Sequence, residues 1–239
     1  MKRRRLREAL RLVKIAARLL AGRRFWIVPL LPLLWPATQA LFLLLGWREQ
    51  TYSSIQVQNG LIGVPLAVLG GFLGLRIIAG EIDRRTLEIV YTVPGGAWRV
   101  WTAKLVAAAG LIVAAEAALA LVAWAFFTAF PLEALYGALQ AALFYLVLSM
   151  TLAAWTRSEA TGGMLLAGIL LFNGLLRGND GVSFRISPFW NTAAALESND
   201  VADVVAWTVQ NRVGFVLAIV AVIALGYVRA ERRERLLSG

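Results

Sequence analysis

Residues 101–130 read WTAKLVAAAGLIVAAEAALALVAWAFFTAF, and only Lys104 and Glu116 in them carry charge. As a helix this run extends about 45 Å at 1.5 Å per residue, more than the roughly 30 Å hydrocarbon core of a bilayer. Pro131 closes it, because proline cannot continue the hydrogen-bond ladder. A second apolar run, 132–155, follows at once. Two such runs meeting at a proline read as a membrane-crossing helical hairpin. Working outward, four more runs have the same character: 25–47, 60–79, 160–176 and 213–227. The expected fold class is an all-α membrane protein with six transmembrane helices, forming one domain over residues 1–239.

Composition supports this. Hydrophobic residues make up 59% of the chain and charged residues 16%, against roughly 25% charged in soluble domains. A soluble fold of this size has too little interior to hide so much apolar surface, which argues against a soluble enzyme, a disordered chain and a disulfide-stapled secreted module. There is no cysteine and no histidine, which removes disulfides, thiolate or imidazole metal sites and Ser-His-Asp chemistry. No metal site is expected, and the spans hold no paired acids for an intramembrane enzyme.

The net charge of +10 would suggest nucleic acid in a soluble protein, but its distribution follows the membrane. With the N-terminus in the cytoplasm, segments 1–24, 76–104, 156–159 and 228–239 lie inside and hold 20 of the 24 Lys and Arg residues. Arg48, Arg177, Arg185 and Arg212 are the four left outside. That bias is the positive-inside pattern. It places both termini in the cytoplasm and the chain in the inner or plasma membrane as a multi-pass protein. The first apolar run is longer than the 7–15-residue core of a cleaved signal, so a retained span is expected. Pro29, Pro32 and Pro36 predict a bend in that span.

Residues 3–21 precede it. Leu6, Leu10, Val13, Ala17 and Leu20 recur at helical spacing, and Arg7, Arg11, Lys14 and Arg18 recur on another stripe. This predicts an amphipathic helix lying in the inner interface, its cations toward anionic lipid.

The loop between the second and third spans reads AGEIDRRTLEIVYTVPGGAWRVWTAK over residues 79–104. Asp83 or Thr86 can cap a short helix carrying Leu87, Ile89, Val90 and Tyr91, which Pro94 and the following glycines end. Its apolar residues suit it to enter a partner's groove. Glu81 is expected to pair with Arg84 or Arg85 and so to fix the angle between span and loop helix. Trp98, Trp101 and Lys104 are expected at the interface.

This loop resembles the signature region of type-2 ABC exporter permeases, on Glu81, then Thr86, Leu87 and Glu88, then Pro94 and Lys104. The departure is Arg85, where that family usually has glycine. The resemblance implies a permease subunit that dimerises with a second permease copy, as a homo- or heterodimer, and binds an ABC ATPase subunit. It implies a coupling helix within residues 80–100, with the contact residues Glu81, Asp83, Arg84, Arg85, Thr86, Leu87, Glu88, Val90, Tyr91 and Pro94. ATP and Mg would belong to the partner. Lys2, Lys14 and Lys104 are the chain's lysines, and none lies in a phosphate-cradling glycine loop. The chain is therefore expected to be non-catalytic, with no cofactor of its own and no nucleic-acid partner. The competing readings are a stand-alone secondary transporter and a non-transport assembly or immunity subunit.

Residues 177–212 are too polar to cross the bilayer, and Thr192–Leu196 and Val201–Trp207 are predicted as two short outer helices. By the resemblance they dip into the outer leaflet; alternatively the segment is a loop capping the outer face. Gly70 with Gly74, and Gly162, Gly163 and Gly168, allow close helix approach, either within the subunit or at a dimer seam. Glu116 falls at mid-membrane, where a charge costs at least about 2.5 kcal/mol. Gln39, Gln140 and Asn173 are its candidate partners by depth. It serves either a transport path or packing between helices.

Overall fold

In a computed structural model of the chain, residues 2–83, 85–92, 96–175 and 184–231 are described, and for 2–9, 87 and 89 only the backbone is. Among the described residues there is no strand. Helix α1 (Lys2–Ala21) leads into a 3-10 segment (Phe25–Leu33) and α2 (Leu34–Leu44). A single turn, α3 (Ser54–Gln56), passes through a π-helical segment (Val57–Gly63) into α4 (Val64–Asp83). Then come α5 (Leu87–Thr92), α6 (Ala97–Phe126), α7 (Glu133–Thr156), α8 (Glu159–Leu175), α9 (Thr192–Leu196) and α10 (Val201–Glu231).

Five of these elements are long and apolar enough to cross a membrane: 25–44, 54–83, 97–126, 133–156 and 201–231. Helix α8 is apolar but has 17 residues. The outward surface is what hydrocarbon requires, because exposed side chains on α6 and α10 include Val113, Leu121, Val209, Val216, Leu217 and Val220. An exposed apolar face of this extent has no counterpart on a soluble monomer. These helices mark the chain as a multi-pass membrane protein.

Proline sets the two departures from α-helix. Pro29 and Pro32 lie inside the 3-10 segment, which tightens the ladder to i→i+3 bonds. The predicted bend is thus a change of helix type. Pro65 cannot donate to Leu61, and the preceding turn opens so that Val64 N donates to Asn59 O, five residues back.

Helices α4 and α7 form the centre, with 72% of each apolar window buried against 17% for α10. Glycine decides their contact. A Cβ on Gly70 would stand 2.5 Å from Ala142 O, and one on Gly74 would stand 2.1 Å from Leu146 O. The Gly70–Gly74 pair therefore packs within the subunit. Gly162 likewise meets Ala153 of α7. Helix α1 and the 3-10 segment lie against α6, α8 against α4 and α7, and α10 against α7.

The second predicted outer helix is not separate. Val201–Trp207 forms the first turns of α10, which runs unbroken to Glu231. Thr192–Leu196 is a short helix as predicted, capped by the Asn191 side chain accepting from Ala194 N at 3.2 Å. Residues 176–183, Arg177 among them, lie outside the described residues.

Candidate functional site at the basic end

The ends of α4, α6 and α10 that carry Arg76, Arg99, Lys104 and Arg229 meet around α5, and the start of α8 lies against the end of α4. Helix α4 closes with two bonds: Arg85 N donates to Ile82 O at 3.0 Å, and Thr86 N donates to Glu81 O at 2.9 Å. This is the Schellman geometry, which requires a left-handed residue after the cap. That residue is Arg85, at φ +56°. Helix α2 ends in the same pattern, with Gly46 at φ +70° in the equivalent place. Position 85 thus has a backbone conformation that favours glycine, and this chain adopts it with arginine.

The next residue, Thr86, supplies the carbonyl that accepts from Val90 N at 3.3 Å, as a helix N-cap does. Its hydroxyl does not cap the helix but donates to the Glu81 carboxylate. Asp83, the other predicted cap, serves a different helix: its Oδ2 accepts from Glu159 N at 3.2 Å, at the start of α8. The Glu159 carboxylate in turn faces Arg76 at 3.8 Å.

Glu81 also pairs with Lys104, which reaches down from the first turns of α6 and donates to Ile77 O at 3.2 Å. Lys104 is 2% exposed and Trp101 fully buried, so neither is the interfacial side chain predicted. Only Trp98 is exposed as expected. The expected partner Arg84 lies outside the described residues, and Arg85 is exposed. Glu81 and Lys104, 23 residues apart, meet the half-buried Thr86 in one polar cluster that joins α4 and α6 at the start of α5.

Helix α5 spans six residues, Leu87–Thr92, within the expected 80–100. Val90 is buried and Tyr91 half-buried, so these two apolar residues turn toward the protein and not toward a partner. Tyr91 stacks edge-on against Trp101, with centroids 6.1 Å apart, and its hydroxyl donates to Ala230 O near the end of α10. Tyr227 stands beside Trp101 and within 3.1 Å of the Thr102 hydroxyl. Among the described side chains of α5, Glu88 and Thr92 are the exposed ones. The side chain of Leu87 and all of Pro94 lie outside what is described.

The intramembrane polar residues do not gather. Glu116 is buried, and its Oε1 has no hydrogen-bond partner among the described residues. Gln39 instead accepts from Arg48 and from the Tyr52 hydroxyl, each at 3.1 Å. Gln140 donates to Asn211 Oδ1 at 3.1 Å. Asn173 accepts from the Ser187 hydroxyl at 3.1 Å. These three belong to a polar layer at the far end of the bundle.

In that layer the backbone of residues 185–190 is held by side-chain amides from the spans. Gln58 donates to Trp190 O, Asn59 to Phe189 O, and Asn211 to both Arg185 O and Ser187 O. Phe189 and Trp190 are buried. Irregular backbone inside a membrane bundle needs such partners. Gln58, Asn59 and Asn211 were missed from the sequence; a paired amide within an apolar run was the available signal. Among the described residues no cluster of acidic side chains suits a metal ion.

Compared with protein-family models, curated proteins and solved structures, the chain matches none.

Proposed function

We propose that this chain is the membrane-spanning permease subunit of an ATP-driven exporter, with six spans and both termini in the cytoplasm. Helix α8 is the shortest span in this reading. The ATPase, with its ATP and Mg, is a separate polypeptide, and a second permease copy completes the transport path. Helix α5 is the coupling helix, and its exposed Glu88–Thr92 side meets the ATPase.

The observation that carries the reading is how α5 is held. A six-residue helix at the basic end is joined to α4 through its cap residue Thr86 and Glu81, to α6 through Tyr91 against Trp101, and to α10 through the Tyr91 hydroxyl, while Lys104 ties α6 to the same Glu81. A push on α5 would reach three spans without passing through a flexible linker. The resemblance of residues 81–104 to the exporter signature agrees with it.

The test is purification together with the ATPase encoded beside it. ATP hydrolysis by the complex should differ from that of the ATPase alone, and Glu88→Arg should abolish the difference while the chain still inserts. Failure of any ATPase to associate would reject the reading. One observation favours a rival: the buried Glu116 carboxyl suits a stand-alone transporter driven by protons. Uptake or export in proteoliposomes driven by a pH gradient without ATP would establish that rival.

A further inference from the structure

Helix α1 carries two apolar stripes, and only one is absorbed by the fold. Val13, Ala16, Ala17 and Leu20 pack into the bundle, where Leu20 O also accepts from Arg76 at 3.0 Å. Leu12, Ile15 and Leu19 form the second stripe and remain about half exposed. Arg11, Lys14 and Arg18 occupy the third side, exposed.

A groove of about 280 Å³ separates the second stripe from α6. Leu12, Ile15 and Leu19 make one wall, and Val100 and Ala103 make the other. Arg99 lines the groove near the first residues of α6, beside the exposed Trp98. Lys104 also borders it, but its charge is turned to Glu81. Among the described residues Arg99 has no carboxylate partner, and it is exposed.

The groove therefore has a sequence along its length. A cation comes first, level with a tryptophan of the interfacial type. Hydrocarbon walls follow, Ala103 lying about 6 Å deeper, one helical turn on. A phospholipid presents the complementary order, a phosphate and then an acyl chain. A peptide helix would bring backbone ends and polar side chains into walls that offer them nothing. The cations of α1 add attraction for negative charge, each worth about a fivefold gain at an anionic surface.

We infer that the groove between α1 and α6 binds an anionic phospholipid, its phosphate at Arg99 and one acyl chain along Leu12, Ile15 and Leu19. The bound lipid then forms part of the contact between α1 and the bundle. This rests on the membrane character of the chain and not on the exporter reading.

The test is native mass spectrometry of the intact chain released from nanodiscs of phosphatidylcholine and phosphatidylglycerol at 4:1. The wild-type chain should retain phosphatidylglycerol in preference to phosphatidylcholine. Arg99→Gln should lower that preference about fivefold, the contribution of one interfacial cation. Arg24→Gln, an exposed cation outside the groove, should leave it unchanged. Ala103→Phe should fill the groove and remove retention of either lipid, and Ile15→Trp does the same from the other wall if Ala103→Phe fails to fold. Equal retention of the two lipids by the wild-type chain would overturn the proposal. So would equal effects of Arg99→Gln and Arg24→Gln, or undiminished retention in the filled variants.

Discussion

Replacing Arg85 by glycine should stabilise this protein, although it deletes a whole side chain. The reason lies in the turn that follows α4. Arg85 sits at φ +56°, and the two bonds that close the helix depend on that conformation. A side chain there costs about 1–2 kcal/mol through the clash of Cβ with the following carbonyl. Glycine removes the clash but gives the unfolded chain more freedom, which takes back about 0.4–1 kcal/mol. The net gain is about 0.5–1 kcal/mol, or a rise of about 1–4 °C in melting temperature for a chain of this length. Arg85→Ala is the control, since it deletes the same charge and keeps the Cβ. Thermal unfolding in detergent, followed by helical circular dichroism, should rank Arg85→Gly above the wild type and Arg85→Ala no higher than the wild type. If Arg85→Gly melts at or below Arg85→Ala, the left-handed turn is not what limits this joint and the reasoning fails.

Three further outcomes follow from the packing. Glu81→Ala removes the carboxylate partner of the buried Lys104 and should cost about 3–5 kcal/mol, whereas the double variant Glu81→Leu with Lys104→Met should recover most of it, as apolar replacement of a buried pair does; detergent melting of both variants beside the wild type decides. Gly74→Ala should cost at least about 2 kcal/mol because its Cβ would overlap the α7 backbone, while Gly168→Ala, which meets nothing within 4 Å, should be neutral or stabilising by up to about 1 kcal/mol in the same assay. Glu116→Leu should raise stability by about 1–3 kcal/mol, the cost of leaving a buried polar group unpaired, and a clear loss would mean that its carboxyl is held by a partner.

Hydropathy alone located most of the bundle. The expected runs 132–155 and 160–176 agree closely with α7 and α8 (Glu133–Thr156 and Glu159–Leu175), since nothing polar blurs their ends. The second and last spans were read too short for one shared reason. Gln58 and Asn59, and Thr208 and Asn211, look like loop residues one at a time. Each is a partner to something the sequence places far away: the backbone of 185–190, or Trp190, whose indole donates to the Thr208 hydroxyl at 2.9 Å. The candidate site divides similarly. Glu81, Thr86 and Lys104 were visible as a motif, but their mutual contact was not, because 23 residues separate the ion pair. The inward turn of Val90 and Tyr91 depended on Trp101 and Ala230, which no periodicity within a six-residue helix reveals.

The bare glycine seam between α4 and α7 bears on how any movement in this protein must be distributed. With Gly70 and Gly74 set against the carbonyls of Ala142 and Leu146, the two helices touch backbone to backbone. At these two positions no side chain of α4 stands between the backbones to change rotamer and absorb a shift. Rolling either helix about its axis would drive a neighbouring Cβ into the other's main chain, so the pair acts as a keel. Rearrangement falls to the parts hung on it through side chains alone. Foremost is α10, which is mostly exposed and meets α7 through side-chain contacts such as Phe144 against Phe215 and the bond from the Thr151 hydroxyl to Val222 O at 2.9 Å. Tyr91 grips that same helix at Ala230.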